Sequence, residues 1–408
     1  TLLSFKRLEI TNLNQNYINE KPGLKKLAAN GLHYLLAASV IVTSAGYFLL
    51  ENGSANSFST YLITLTLLPL LVLRKQTSFI NLPLLSLIAV CLIYLAVSVL
   101  WSDSGESVPR HFGYALLIIS FCASIPISIA YFPSFLSRMV SLIVMAAFVS
   151  GVYSIYLHFA LPEYQPLPEQ RMYAMGRLRN PVIGALSYGF AMTMAIYMLF
   201  TESSRSVKIA YLGAILIFTT AILLTGSRGV YLALTASTSM AILLRYPSNR
   251  KLQTLGVITT VLIFFAIAVL FLGPELLFKR ALSFRPEIWS EFMSRTIDSN
   301  VWVGMGMSAN SEFLMPELLI QHPHSAFIAT FYYGGIVGLS LYLGLVLISI
   351  CALNELNSTN VQLLTAMLLA FGMTATALDG NEILTKVNYL WFLIWFPIGL
   401  SLTKIKSN

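Results

Sequence analysis

Charged residues are scarce in this 408-residue chain: Asp, Glu, Lys and Arg together make up 10%, whereas hydrophobic residues make up 57%. Soluble domains carry about 25% charged residues, so this composition excludes an ordinary soluble protein. Cysteine is scarce as well, and its three residues lie far apart in the sequence. Neither a disulfide framework nor a cysteine-rich zinc site is therefore expected. The mean hydropathy of +0.75 indicates a membrane protein.

Sequence patterns for nucleotides and metals are missing too. The chain has no Gly-x-x-x-x-Gly-Lys phosphate loop, and no strand–helix pattern surrounds Gly304-x-Gly306. Neither a nucleotide nor a nucleic acid is therefore expected as a partner. His322 and His324 have no cysteine or carboxylate pattern around them, and no Asp-x-Asp occurs. We accordingly expect no metal site and no cofactor.

Twelve apolar stretches are candidates for membrane-spanning helices, since a bilayer core needs about 20 apolar residues per helix. They lie at residues 31–50, 58–73, 80–100, 111–131, 136–161, 182–201, 207–225, 229–246, 252–273, 325–350, 361–378 and 387–403. The second stretch is short, and the third contains Pro83. We predict an all-α integral membrane protein in which residues 1–408 form one polytopic domain.

The distribution of Lys and Arg predicts the orientation, because cytoplasmic loops are enriched in these residues. An even number of spans places both termini on one side of the membrane. If that side is the cytoplasm, fifteen of the twenty-five cations lie inside. Two long loops, 162–181 and 274–324, then lie on the outer side.

Ten cations remain outside, where the positive-inside rule disfavours them, and eight of these are arginines. The ten are Arg110, Arg171, Arg177, Arg179, Arg228, Lys279, Arg280, Arg285, Arg295 and Lys386. Arginine presents a planar, permanently charged fork that can bind two phosphate oxygens at once. The set therefore suggests a phosphorylated ligand at the outer surface. The alternative is a set of loop salt bridges with the thirteen outside acids.

Three of these arginines lie close to the end of a span. Arg177 and Arg179 precede a span that Pro181 can open, so free backbone N–H groups and the positive helix end would add to anion binding. The alternative for this pair is an interfacial role, with the charged ends reaching toward water. Arg228 lies in a Gly-Ser-Arg-Gly turn, whose glycines allow a ligand to approach the backbone.

The loop 274–324 carries the residue types best suited to chemistry. An amphipathic helix is expected near 283–293, with Arg285 and Trp289 on one face because they are four residues apart. His324 stands where this loop meets the next span. An imidazole, with an ordinary pKa of about 6.5, suits proton transfer near neutral pH. The alternative roles of His324 are a helix N-cap or a structural hydrogen bond.

An enzyme that acts outside the membrane without a nucleotide needs a donor that arrives already activated. A lipid-linked diphosphate meets this requirement, because its tail can lie between helices while its diphosphate meets the arginines. Membrane lipids and such a donor are therefore the expected partners.

Three motifs resemble those of the O-antigen ligase and O-antigen polymerase superfamily of bacterial inner membranes. His324-Ser325 is followed after nine residues by Gly335-x-x-Gly338, which is similar to the family's His motif. The Ser-Arg-Gly turn at Arg228 is similar to a second family motif. Arg285-x-x-x-Trp289, with Gly304-x-Gly306 downstream, resembles a third. Ser340 departs from the residue types usual at its position. The resemblance covers about 170–345.

The resemblance implies a GT-C-like glycosyltransferase with its active site in the periplasm. It implies metal-independent transfer of a glycan from undecaprenyl diphosphate to a sugar hydroxyl of the lipid A-core oligosaccharide, which completes lipopolysaccharide. His324 would be the catalytic residue, as a base or as a group that positions the acceptor. The diphosphate would be bound by Arg228 and Arg285, with Arg177 and Arg179 as further candidates. Contacts to the acceptor or within the loop are expected from His322, Ser325 and Trp289.

Other functions stay open at this point. An O-antigen polymerase or a protein O-oligosaccharyltransferase of the same superfamily would show similar motifs. A transporter or flippase for lipid-linked glycans is a more distant alternative. It would need ionisable residues deep within the spans or paired broken helices, and the spans contain almost no ionisable residues.

Overall fold

The computed structural model describes residues 24–51, 53–73, 76–164, 171–272, 284–315, 318–356 and 358–404, most of which are helical. The long helices, in chain order, are α1 Leu24–Leu49, α2 Gly53–Leu73, α3 Leu82–Ser98, α4 Val108–Tyr131, α5 Phe135–Ala160, α6 Pro181–Thr201, α7 Arg205–Thr225, α8 Gly229–Arg245, α9 Arg250–Leu272, α10 Arg285–Asn300, α11 Ala326–Ala352, α12 Thr359–Leu378 and α13 Trp391–Ser401. An antiparallel hairpin of β1 (Phe313–Met315) and β2 (Leu318–Ile320) lies between α10 and α11.

Nine helices in the described part of the chain are long and apolar enough to cross a membrane. The structure is therefore mostly helical, as expected of an integral membrane protein, although the hairpin of β1 and β2 departs from the predicted all-α class. The other three predicted spans coincide with α2, α8 and α13, of which α8 and α13 are shorter apolar helices. The total of twelve spans and the GT-C-like architecture stay predictions. Lys279, Arg280 and the segment 1–23 lie outside the described residues.

Polar caps and prolines explain where several helices begin. The side chains of Asn81, Ser107 and Asn180 accept hydrogen bonds from backbone N–H groups in the first turns of α3, α4 and α6. Such caps satisfy N–H groups that have no partner within the helix. Pro83 does not interrupt the third span, because it lies in the first turn of α3, where a missing N–H costs no hydrogen bond.

The last helix is short and lies inside the bundle. Trp391 and Trp395 are fully buried, and their indole N–H groups donate to the carbonyls of Thr385 (3.1 Å) and Ile383 (3.0 Å). A helix of eleven residues is roughly 16 Å long, about half of a 30 Å bilayer core. Helix α13 therefore fills the space between α4 and α12, against which it packs.

Both predicted outer loops fold back onto the helices. In the first, Met172, Ala174 and Leu178 are fully buried. In the second, α10 packs against α11, and its Ile288 and Phe292 side chains point inward. Apolar side chains at these spacings stabilise the loops by burial. The described parts of both loops thus form a layer over the helix ends.

Helix α11 is broken at Gly335, which has a φ of 62°. The backbone groups that lose helical partners there bond to the segment 301–306 instead. Ile336 N donates to Val301 O (2.9 Å), and Met305 N donates to Tyr332 O (2.8 Å). Buried backbone groups need such partners, so the segment 301–306 completes the broken helix.

Glycine is required where the two chain segments touch. A Cβ atom on Gly304 would lie 2.5 Å from Gly335 N, and one on Gly335 would lie 2.4 Å from Trp302 C. The Tyr94 hydroxyl donates to Gly334 O (2.7 Å) and holds the same junction from α3. The Gly-x-Gly and Gly-x-x-Gly motifs therefore pack against each other, and they support the helix that begins beside His324.

Replacing Gly335 by alanine is expected to destabilise the protein by about 2 kcal/mol or more, because the new methyl group clashes with backbone and the positive φ is strained. Thermal unfolding in detergent measures the change. Gly344→Ala on the same helix is the matched control, because a Cβ there meets nothing within 4 Å. Equal unfolding temperatures for the two variants would contradict the packing described above.

Candidate functional site

A cavity of about 250 Å³ lies where several helices end. Its polar wall is formed by Arg171, Arg228, Arg285, His324 and Asp379. Its apolar wall includes Val182, Leu186, Val230, Ile288 and Leu378. Three cations, an imidazole and a carboxylate thus face one space with an apolar side. Such a combination suits a ligand that is anionic at one end and apolar at the other.

His324 and Asp379 form a pair in this cavity. His324 Nδ1 lies 3.0 Å from Asp379 Oδ1, and the two side chains are 36% and 9% exposed. An ionised carboxylate only accepts hydrogen bonds, so Nδ1 carries the proton. Nε2 then has its lone pair available for a substrate proton. The pair has the geometry of a general base held and supported by an acid.

The backbone around His324 is held in an unusual conformation. His324 has a φ of 53°, in the left-handed region that residues other than glycine adopt rarely. It directly follows Pro323, and Ser325 then caps α11 by accepting from Ile328 N (3.5 Å). A strained residue is retained where the surroundings over-determine it, commonly at a functional site.

Contacts from earlier parts of the same 274–324 loop hold the residues just before His324 in place. Trp289 Nε1 donates to Pro323 O (3.0 Å), and Ser311 Oγ donates to Gln321 O (2.6 Å). Trp289 belongs to α10, whose first residue is Arg285. One helix therefore contributes a cation to the cavity and also anchors the loop that carries the imidazole.

The His322 ring lies tilted by 47° against that of His324, with ring centroids 4.0 Å apart, and its Nδ1 accepts a hydrogen bond from His324 N (3.3 Å). Burial, together with the neighbouring His324, lowers the pKa of His322 to about 4, although Asp379 acts in the opposite direction. His322 is therefore neutral near pH 7. It supports the backbone of His324 rather than adding a charge to the cavity.

Arg171 is positioned by the turn that joins α7 to α8. Its Nε donates to Thr225 O (2.6 Å), and its NH2 group donates to Ser227 Oγ (3.1 Å). Gly226 has a φ of 64° and ends α7 in the left-handed conformation. Arg228 follows in the same turn and immediately precedes α8. The turn therefore directs two arginines to one side of the cavity, and Arg285 on α10 provides a third.

Several helix ends meet at the cavity. Residues in the first turns of α6, α8 and α10 line it. Gly226, the C-cap of α7, and the last turn of α12 line it as well, and these negative helix ends offset part of the effect of the positive ones. Each exposed helix N-terminus favours an anion by about 0.3–1 kcal/mol. Since successive helices run in opposite directions, these ends all belong to one face of the bundle. The cations, the imidazole and the carboxylate therefore share that face.

Arg177 does not line this cavity. Its guanidinium donates to Val387 O, lies over the Tyr47 ring at 4.9 Å, and meets the side-chain oxygen of Asn56 at 2.8 Å. Burial lowers the pKa of Arg177 from its ordinary value. These contacts tie the 171–180 segment to α1, α2 and the segment before α13, which is a structural role.

Arg179 and Ser325 also lie apart from the cavity lining. Arg179 is exposed and lies over the Tyr164 ring at 5.5 Å. Ser325 is 2% exposed and serves as the N-cap of α11. Of the four arginines predicted to bind the diphosphate, the structure brings Arg228 and Arg285 together with His324.

His322, His324 and Asp379 could together hold a metal ion, because one ligand atom from each lies within 4.8 Å of the others. The expectation of no metal relied on the lack of a nearby carboxylate in the sequence. Asp379 supplies that carboxylate from 55 residues away. The same imidazole–carboxylate pair can also carry a proton without any metal.

Sequence reasoning missed two residues of this site. Asp379 is the single acid directly after the span 361–378, a position that could have drawn attention to it. Arg171 was one of the eight arginines predicted to lie outside, but nothing in the sequence distinguished it from the other seven. Both residues reach the site through tertiary folding, Asp379 from α12 and Arg171 from the segment before α6.

Comparisons with known proteins agree with the motifs. Residues 212–343 match the model of a family described as O-antigen ligase. The O-antigen ligase of Pseudomonas aeruginosa strain PAO1 is 29% identical over 323 residues, which covers 75% of this chain and 74% of the relative. The resemblance indicated by the motifs is therefore confirmed. The matched family segment contains Arg228, Arg285 and His324.

Proposed function

Because the chain is related to the O-antigen ligases, we propose that it transfers a glycan from undecaprenyl diphosphate to a sugar hydroxyl of the lipid A-core oligosaccharide. The observation that carries this proposal is the meeting of three arginines with a His–Asp pair in one cavity beside the membrane helices. The arginines suit the binding of a diphosphate, and the His–Asp pair suits the removal of a proton from an acceptor hydroxyl. Homology to a ligase supports glycosyl transfer as the reaction class.

The donor binds with its diphosphate between Arg171, Arg228 and Arg285 and its isoprenoid tail toward the apolar wall. Guanidinium groups match phosphate oxygens in geometry and keep their charge at every relevant pH. When the glycosidic C–O bond breaks, negative charge grows on the leaving diphosphate. The fixed cations stabilise this charge more than they stabilise the bound substrate, which lowers the barrier.

The acceptor hydroxyl is activated by His324. Its oxygen forms the new C–O bond to the anomeric carbon, and its proton passes to Nε2. The resulting imidazolium has its Nδ1–H directed at Asp379, whose charge stabilises it. The products are the joined glycan, undecaprenyl diphosphate and a proton on His324, which is later released to water.

The protein is proposed to lie in a bacterial inner membrane with this site toward the periplasm and both termini in the cytoplasm. The excess of Lys and Arg on the opposite side supports this orientation. So does the gathering of the site residues at one end of the bundle. Without a nucleotide available there, a donor activated in advance is required.

Purified protein in nanodiscs, supplied with lipid-linked glycan and either lipid A-core or further donor, tests the function. Consumption of lipid A-core with release of undecaprenyl diphosphate is the expected result. Chain extension of the donor alone would instead identify a polymerase. Excess EDTA is expected to leave the rate unchanged, since no step requires a metal. A rate that falls with EDTA and recovers with an added divalent ion would contradict this.

Asp379→Asn is expected to lower kcat by roughly 10- to 100-fold, the usual effect of changing a group that orients a functional histidine. The amide keeps the size of the side chain but removes the charge that stabilises the imidazolium. The KM for the donor should change little, because Asp379 does not bind the diphosphate. Steady-state kinetics with both substrates varied separates the two parameters, and a change confined to KM would argue against the pairing role.

A further inference from the structure

The cluster of His322, His324 and Asp379 combines two nitrogen ligands with a carboxylate. Zinc and other late transition metals favour imidazole together with carboxylate, whereas magnesium and calcium favour oxygen ligands alone. The three ligand atoms lie within 4.8 Å of one another. Ligands on a tetrahedral zinc are about 3.4 Å apart, given bond lengths near 2.1 Å, so small side-chain rotations suffice.

His324 Nδ1 and Asp379 Oδ1 already have a spacing that a metal can bridge. They lie 3.0 Å apart and share one proton. An ion bound to both at about 2.1 Å would subtend an angle near 90°, which zinc accepts because it has no geometric preference from its d electrons. His322 completes a three-residue ligand set on the partly exposed side, where water can occupy a fourth position.

We propose that His322, His324 and Asp379 form an inhibitory zinc site. Zinc binds the lone pair of His324 Nδ1, and the proton of that nitrogen moves to Nε2, so that the imidazole stays neutral. Nε2 then carries a hydrogen and no longer accepts the proton of an acceptor hydroxyl. Asp379 is likewise engaged by the ion. Zinc thus blocks the base without occupying the diphosphate region.

Metal binding and inhibition are separable parts of this inference. Binding follows from the three ligands alone. Inhibition rests on the proposed function, since it requires His324 to act as the base. Direct measurement of binding therefore tests the site even if the protein transfers no glycan.

The variant His322→Gln removes one ligand and keeps an acceptor for His324 N–H. His111→Gln is the matched control, because His111 lies outside the cluster and its two ring nitrogens already bond to Ser107 O (3.2 Å) and Ser308 Oγ (3.1 Å). Isothermal titration with ZnCl₂ and the visible spectrum of added Co²⁺ report binding in nanodiscs. Unfolding temperatures establish that each variant is folded.

Wild type and His111→Gln are expected to bind one zinc per chain, and His322→Gln to bind it roughly tenfold more weakly or worse. The zinc concentration that halves the rate, measured against each variant's own activity, should rise by the same factor. Equal zinc affinity in wild type and His322→Gln would overturn the site. Tight binding that leaves the transfer rate unchanged would overturn the inhibition, and a missing transfer activity with intact binding would count only against the proposed function.

Discussion

His324→Ala is expected to reduce glycan transfer by on the order of 10²- to 10⁴-fold, the usual contribution of a positioned general base. The donor should still bind with near-normal affinity, because the diphosphate contacts lie on the arginine side of the cavity. Rate measurements with lipid-linked glycan and lipid A-core give the first quantity, and binding of labelled donor to nanodiscs gives the second. Full activity in the variant would remove His324 from the mechanism.

Two further variants sharpen this test. His324→Gln can still hydrogen-bond an acceptor hydroxyl but cannot take its proton at neutral pH. Substantial activity in that variant would therefore assign His324 to acceptor positioning instead of proton transfer. Gln321→Ala is the control within the same loop, because Gln321 bonds to Ser311 Oγ through its backbone carbonyl, which the substitution keeps. It should keep the wild-type rate.

Arg285→Lys is expected to lower the transfer rate by about 10²- to 10³-fold, comparable to the removal of one donor that stabilises transition-state charge. Lysine keeps the positive charge but loses the planar fork that holds two phosphate oxygens at once. The loss should also weaken donor binding. Titration with undecaprenyl diphosphate as a probe measures the affinity, and wild-type affinity would count against the arginine cluster as a diphosphate site.

Arg295→Lys is the matched control on the same helix. Arg295 bonds to Glu291 (2.8 Å) and to Glu312 O (3.3 Å), and it lies over the Phe313 ring at 4.8 Å. It therefore supports the loop without lining the cavity. Its replacement should leave donor affinity unchanged, so a similar loss in both variants would indicate a general disturbance of α10.

Much of the helical architecture could be predicted from the sequence. Long apolar runs require helices in a bilayer, since no water is present to satisfy the backbone. The prediction of membrane spans was least informative for a helix whose apolar side chains are buried in protein rather than in lipid. Trp391 and Trp395 belong to a short helix in the bundle interior, and composition cannot distinguish that environment from hydrocarbon. Pro83 stood out in the sequence of the third span, yet it leaves the helix intact because it lies in the first turn.

The candidate site residues likewise include some whose place the local sequence predicted and some whose place it did not. Arg228, Arg285 and His324 occur in local motifs whose spacing could be read directly, and the structure places all three on one cavity. Arg177 and Arg179 occur in an equally suggestive local pattern, yet they contact Val387 and the Tyr164 ring. A charge pattern predicts the side of the membrane on which the arginines lie, but not which partner each one meets.

The sequence by itself determined the membrane class, the excess of arginine among the cations of the predicted outer loops and the motif that contains His324, because each depends on residues close together in the chain. Only the tertiary structure decided what surrounds them. Asp379 comes from 55 residues beyond His324, and Arg171 lies 56 residues before Ser227. Contacts over such separations arise when helix ends converge on one face of the bundle. That convergence places a carboxylate 3.0 Å from the imidazole at the helix boundary and three arginines on the same cavity.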